Sequence, residues 1–486
     1  MTTVNNTKSR SPGLPIPNPG LSFWQKTTRA FPHLNANSET PVPASSKYVV
    51  VGSGLAGSLT AYELLEAGIK GDEVVILEAR EAASGASARN AGHVRPDAFR
   101  GFPIYAALHG IDQARKVVEN ERLVLHKIDE FVKKHNVPCD FNFTTTFDVC
   151  MTPEFATYEA AAYDAFKAAG GDVSHVKVYV GGEAQAKTRV KDAVAAYEWP
   201  AGSSHPAKLT QWILNSCVAR GVKIFTHCPV SSITRAGSQT EKPDAATSSS
   251  WALHTPRGII VTPTVIHCTN AHAGLLLPQL SPYITPTRSQ VTAITPTRAF
   301  AGESTLKSTL SIRYTMKYFH SLIQRQGDGT LIFGVSRGSP ALSAQAVAQL
   351  ETTDDSSFSR EILQESERAW RRIFPDYSRY GVKHGEGLDH VWTGIIAMTA
   401  DHVPFVGAVE SLPGQYVCTG FNGHGMARIF TCAPGIVKLI LGGQWSETGL
   451  PECFQMSESR LAGLGRQETE PVDQVWQTAT SAVAVL

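Results

Sequence analysis

Two periods of apolar and polar positions alternate along the chain. The run Tyr48–Val51 is continuously apolar and β-branched, the composition of a strand buried on both faces. A glycine-rich turn follows at once, then a helix-forming segment over 55–67 that stops at Gly68, then a second apolar strand, Val74–Leu77, closed by Glu78. Strand, turn, helix and strand in that order predict a βαβ unit. Over 110–136 the period changes: Ile111, Val118, Leu125, Ile128 and Val132 recur at helical spacing with charges between them, which predicts an amphipathic helix on a core.

From Cys139 the period shortens. Phe141, Phe143 and 147–149 read as strand, 157–169 as an alanine-rich helix ending at Gly170, and 176–180 as another strand. The helix Pro206–Ala219 and a strand over 222–225 return to the first pattern. Residues 238–250 are polar and low in complexity and predict a hairpin tip, followed by strands at Gly258–Thr262 and 265–271. Residues 281–298, rich in proline, cross back into strand-rich sequence, where 314–325 and 330–337 flank Gln326-Gly327-Asp328-Gly329 as a β-hairpin. A charged helix over 358–374 and a strand over 416–418 complete the pattern. The fold class expected is α/β, with an α+β second domain. A doubly wound dinucleotide-binding domain occupies 47–144, 204–280 and 386–486. An inserted, mainly antiparallel substrate-binding domain occupies 145–203 and 281–385, and 1–46 form an irregular leader pinned through Phe23 and Trp24.

Composition narrows the function classes. Among 486 residues, 44 Lys and Arg against 43 Asp and Glu leave no field that would gather nucleic acid or an anionic membrane, and neither is expected as a partner. The eight cysteines include no C-x-x-C pair and no secretory leader precedes them, which fits free thiols in a reducing, cytoplasmic setting. No metal site is expected.

Gly52-Ser53-Gly54-Leu55-Ala56-Gly57 is a G-x-G-x-x-G turn between a strand and a helix. Gly52 permits the tight turn, Gly54 lets the backbone approach a pyrophosphate, and Gly57 lets the helix pack on the strand. The helix start points open N–H groups at the phosphates. Glu78 stands about 20 residues past Gly57, where an acid accepts hydrogen bonds from a ribose. Residues 79–93 are small and have little bulk for a core, as though the backbone lay against a flat ligand.

With these motifs (the glycine turn, the Leu77-Glu78-Ala79-Arg80 acid, the SGASARNAGH loop over 84–93 and GFNGHGM over 420–426) the chain resembles the D-amino-acid oxidase-like (DAO) family of FAD-dependent oxidoreductases. The branch it looks most like is the fungal amine and amino-acid oxidase-like group, with which it shares the leader PNPGLSFW over 17–24. The resemblance implies FAD contacts along the turn (Gly52, Ser53, Gly54, Ala56, Gly57) and around the acid (Glu78, Ala79, Arg80). It extends them to the small-residue loop (Ser84, Gly85, Ala86, Ser87, Arg89, Asn90, Ala91, Gly92, His93), Val230, Thr269, Asn270 and Gly394, and to Phe421, Asn422, Gly423, His424, Gly425 and Met426.

The resemblance also implies oxidation of the C–N bond of an amine or amino acid, secondary and N-methyl amines included, to an imine, with O2 as acceptor and H2O2 as product. Where relatives attach the flavin covalently through a cysteine or a histidine, this chain has Ile396 or a neighbour and Arg89, so non-covalent FAD is expected. His93 and Arg95, just past the flavin loop, are the candidate catalytic residues: Arg95 for a substrate carboxylate, His93 as a proton acceptor for a substrate ammonium. Two other readings share these motifs. One is an oxidative tailoring or cyclising enzyme of small-molecule biosynthesis; the other is a catalytically silent binding protein on a flavoprotein fold, against which the intact loops at both faces of the ring argue.

Overall fold

The computed structural model describes residues 12–237 and 250–466; residues 238–249, nearly all of the expected hairpin tip, lie outside them. Tyr48–Val51 pairs in parallel with Val74–Leu77 on one side and Thr264–His267 on the other. Around this pair a six-stranded sheet runs in the order Phe405–Ala408, Gln415–Thr419, Thr264–His267, Tyr48–Val51, Val74–Leu77, Lys223–Phe225, parallel except at the edge strand Phe405–Ala408. Successive side chains point to opposite faces. Tyr48, Val50, Val74 and Ile76 pack into one cluster with Leu59, Val117, Leu209 and Ile436 of the covering helices. Val49, Val51, Val75 and Leu77 pack instead on Trp251, Leu253 and Ile260, which belong to an antiparallel meander of Ser232–Arg235, Trp251–Thr255 and Gly258–Thr262. Each fully buried aliphatic side chain contributes roughly 1.5–3 kcal/mol. Double coverage is therefore why these strands read as unbroken apolar runs.

The long helix forms as Ile111–His135 and ends where Asn136 turns left-handed at φ 48°. Ile111 is 50% exposed and leaves the predicted apolar stripe. The buried stripe is Val117, Val118, Glu121, Val124, Leu125 and Ile128, and it contains a charge.

A second sheet of nine strands runs Gly387–Thr399, Ile284–Thr295, Leu331–Gly334, Phe319–Gln324, Thr309–Arg313, Asn142–Cys150, Ala195–Ser203, His93–Val94, with Lys177–Val180 also on Ala195–Ser203. All pairs are antiparallel except Thr309–Arg313 with Asn142–Cys150. The predicted hairpin is present as Phe319–Gln324 and Leu331–Gly334. Three features go beyond the pattern reading of the chain. The proline-bearing crossing is a long strand, Ile284–Thr295; it tolerates Pro286 because there only Gly387–Thr399 pairs with it, the other neighbour reaching no further than Val291–Ile294. Gly387–Thr399, assigned by pattern to the dinucleotide-binding part, hydrogen-bonds throughout in the large sheet, where Trp392 is buried beside Val291, Ala293 and Ile332. His93–Val94 likewise joins this sheet, paired with Ser203 and Gly202.

The leader is ordered by that same core. Ser22 caps a single helical turn, Phe23–Lys26, and Trp24, with no exposed surface, packs with Phe23, Ala88 and Trp392.

Candidate active site

One continuous cavity of about 420 Å³ runs from the dinucleotide turn to the large sheet. At its first end Gly52 adopts φ +105° and lies so near the next strand that a Cβ would sit 2.7 Å from the Cys268 carbonyl. A Cβ at Gly57 would sit 1.9 Å from the Gly52 carbonyl, so a side chain there would push the helix off the strand. Gly54 caps the helix Leu55–Glu66 without a side-chain bond. Ser87 Oγ accepts from the Leu55 N–H at 2.7 Å, and Ala56 lines the cavity. Glu78 is fixed by donors from the Ser53 N–H (2.9 Å) and Oγ (2.7 Å) and from the Arg80 N–H (3.0 Å), with its edge on the cavity. A helix start with open donors and an oriented acid at the neighbouring strand end fit a dinucleotide.

The small-residue loop is held from behind. Arg89 spends its guanidinium on the carbonyls of Ser84, Thr393 and Gly20 and lies 3.3 Å from Asp355. Burial lowers its pKa to about 10, leaving it charged. Asp355 also receives Arg80 at 2.9 Å. Gly394 is needed because a Cβ would fall 2.9 Å from the Arg89 Cβ. Asn90 turns the loop by accepting from the Gly92 N–H at 2.8 Å, and its carbonyl accepts from Trp24 Nε1. Of the residues expected to touch the cofactor, Ala79, Gly85, Ala86, Ala91, His93, Val230, Thr269 and Asn270 line the cavity, whereas Ser53, Gly57, Ser84 and Gly92 are not among its lining residues.

The loop Phe421–Met426 forms the opposite wall. Asn270 Oδ1 accepts from the Gly420 and Phe421 N–H groups. Asn422, at φ 54°, is stapled to Thr399 through its side chain, with Oδ1 accepting from the Thr399 N–H at 2.7 Å. His424 Nδ1 lies 3.2 Å from Glu121, which also takes Arg428 Nε at 2.8 Å. Burial pushes the Glu121 carboxyl up, but His424 and Arg428 outweigh it and bring it to about 2.

The large sheet supplies the far wall, and it is cationic. Asp148, fully buried, receives Arg95 (2.9 Å), Arg100 (2.6 Å) and Arg313 (2.9 Å). Burial alone would raise its carboxyl; Arg100, Arg95 and Arg313 hold it well below the usual carboxylate range. Arg95 also donates to Thr146 Oγ1 and stacks on Trp199 at 4.6 Å. Arg313 stacks on Phe319 at 4.2 Å, and its terminal nitrogens have no partner among the described residues. His93 lines the same cavity, both ring nitrogens buried and without a partner among the described residues. Burial, then Arg95, lowers its pKa to about 3, so the imidazole is neutral.

Glu121, Arg428, Asp148, Arg100 and Ser311 were not apparent from the motifs. For Glu121 and Asp148 a signal existed: each interrupts a buried stripe with a charge, Glu121 between Val118 and Leu125 and Asp148 beside Phe147 and Val149. Cys268, on the cavity, is a buried filler whose thiol is pushed to about 12 by burial.

This arrangement agrees with the comparisons. The sequence is 23% identical to gamma-glutamylputrescine oxidoreductase of Escherichia coli over 397 residues, 81% of this chain and 83% of that protein. It is 22% identical to the probable oxidoreductase OrdL of Haemophilus influenzae over 81% of this chain and 82% of that protein. Among solved structures, glycine oxidase from Geobacillus kaustophilus matches with a TM-score of 0.65 at 16% identity, covering 86% of this chain and 99% of that one. L-proline dehydrogenase from P. horikoshii matches at 0.64 and 19%, covering 85% and 97%. The DAO family model, described as FAD dependent oxidoreductase, matches residues 47–439, which span both walls of the cavity, and the chain belongs to that family of flavoenzymes.

Proposed function

We propose that the protein oxidises the C–N bond of an amine or amino acid to an imine, with secondary and N-methyl amines within its range and O2 as the terminal acceptor. The observation that carries this reading is the pairing, on one cavity wall, of open guanidinium donors on Arg313 and Arg95 with the unpartnered, neutral His93. A carboxylate accepts a charge-assisted, fork-shaped contact from such arginines. It would also offset the positive charge of Arg95 that helps hold the His93 pKa down, so His93 becomes a better proton acceptor once substrate is seated. The free amine gives up hydride readily and the ammonium does not, which is the step His93 serves. FAD, held by the turn 52–57, Glu78 and the loops 79–93 and 421–426, supplies the two-electron acceptor, which O2 restores with release of H2O2. The loop 421–426, with His424 beside Glu121, would offer N–H donors and a polar ring to the negative charge of a reduced flavin. We take the nine-stranded sheet as the substrate-binding part.

The test is anaerobic mixing of the purified yellow protein with primary, secondary and N-methyl amines. Loss of flavin colour, an imine-derived carbonyl product and H2O2 on readmitting air support the reading. A flavin that no amine bleaches would sink it.

A further inference from the structure

The far wall carries more positive charge than one carboxylate can meet. Arg95, Arg100, Arg313 and Arg337 all reach the cavity, while the carboxylates bound to them are Asp148 and Asp97. Glu159 adds no negative charge. Neither of its oxygens has a partner among the described residues, and burial followed by Asp148 pushes its carboxyl well above the usual range. Glu121 and Arg428 cancel each other. Four guanidiniums against two carboxylates leave two positive charges.

Those charges stand at two places. Arg313 ends its strand opposite Phe319, and the Phe319 N–H donates to Ser336 Oγ, the residue before Arg337. One strand therefore lies between the two arginines, and two strand spacings hold their backbones about 10 Å apart. Arg337 makes no hydrogen bond or ion pair among the described residues, and burial is the sole cause of its lowered pKa. Ser311 and Ser321 face each other two residues along from the Arg313–Phe319 pair, and both line the cavity. Ser311 Oγ is buried without a partner, and the neighbouring Gly334 leaves room for the Ser321 hydroxyl, which a Cβ there would meet at 2.2 Å. Arg313 stacks on one face of Phe319, which lines the cavity.

Resting on the C–N oxidation proposed above, we infer that the substrate is an amine bearing two carboxylates, one seated at Arg313 and Arg95 and the other at Arg337. A phosphate would concentrate both charges at one point, whereas these centres are divided by a strand.

The FAD-loaded protein should be tested with amino acids and N-methyl amino acids in matched pairs, each ω-carboxylate against its ω-carboxamide. Anaerobic flavin bleaching should favour the diacid by about 10- to 100-fold in kcat/KM, the worth of one charge-assisted contact. A second readout needs no turnover: glutarate should perturb the flavin spectrum at concentrations about 10- to 100-fold lower than butyrate. Arg337→Gln should collapse both ratios and Arg337→Lys should restore part of each. Equal responses to diacid and amide, or ratios unchanged in Arg337→Gln protein that keeps its flavin spectrum, overturn the second carboxylate site and leave C–N oxidation standing. Preferential glutarate binding without bleaching by any amine supports the dianion site and overturns the oxidation reading instead.

Discussion

Asp148 and Glu159 sit in one arginine cluster, both fully buried, and should respond oppositely to the same chemical change. Asp148→Asn removes the anion shared by Arg95, Arg100 and Arg313 and leaves three guanidiniums around a neutral amide. Breaking a buried pair in this way costs about 3–5 kcal/mol. The Asp148 carboxyl is depressed on folding, so its contribution is fully present above about pH 3.9 and is lost only as pH falls toward the folded value. The loss in Asp148→Asn should therefore be read near pH 5, because at higher pH removal of Asp148 also makes Glu159 easier to ionise beside the arginines.

Glu159 has the reverse sign. Its folded pKa is raised by burial and by Asp148, whereas in the unfolded chain it ionises near 4.3. In between, the folded state holds one more proton than the unfolded state. Stability should therefore fall as pH rises, by about 1.4 kcal/mol per unit from this group. Glu159→Gln removes that slope, so the variant should gain on wild type steadily from pH 5 upward. Urea unfolding followed by tryptophan fluorescence across that range measures both variants. An Asp148→Asn protein as stable as wild type, or a Glu159→Gln protein whose difference from wild type does not change with pH, would refute the charge assignment on which the count of surplus guanidiniums depends.

Acid precipitation should release all the flavin, because Arg89 is tied to carbonyls and Asp355, and no cysteine lies between Val391 and Val417, around Ile396 or a neighbour at the other expected attachment place; colour retained by the pellet would contradict this. Gly57→Ala should give colourless protein, since its Cβ would meet the Gly52 carbonyl at 1.9 Å, and flavin content per chain checks it. His93→Ala should lower kcat/KM by about 10². With its pKa near 3, His93 gives the free enzyme no acidic limb at the ordinary histidine position near 6.5; a limb there that vanishes in the variant would show that His93 titrates normally.

The parts of the fold legible in sequence are those fixed by neighbours in the chain. Tyr48–Val51, the glycine turn and Val74–Leu77 are specified by local pattern, and each pairs as expected. Ala195–Ser203 carries no clear strand signal because Pro200, Ala201 and Gly202 dilute its pattern, yet it forms the long antiparallel partner of Asn142–Cys150. The cationic wall was legible only as single residues. Arg100 meets Asp148 across 48 positions and Arg313 meets it across 165, and no local spacing announces such a contact. Arg95 was singled out for its place after the loop; that Asp148 shares it with two further arginines depends on the pairing of Thr309–Arg313 with Asn142–Cys150.

The leader shows why absence of period is not absence of structure. Residues 12–46 have no repeating apolar pattern: their backbone bonds close short local turns, such as Phe31 N–H to the Thr28 carbonyl and Leu34 N–H to that of Phe31, and further bonds join them to the small-residue loop. Ser22 Oγ donates to the Ala88 carbonyl, Trp24 Nε1 donates to that of Asn90, and Arg89 and Arg80 reach back to the carbonyls of Gly20 and Ile16. Leu14 and Pro15 then form part of the cavity wall itself. A segment bonded this way needs no helix or strand to satisfy its backbone. Its two aromatics bury at the junction of the loop and the large sheet instead of following a helical or strand stripe. The leader and the small-residue loop therefore order each other, and the cavity is closed by a piece of chain whose own sequence carries no regular pattern.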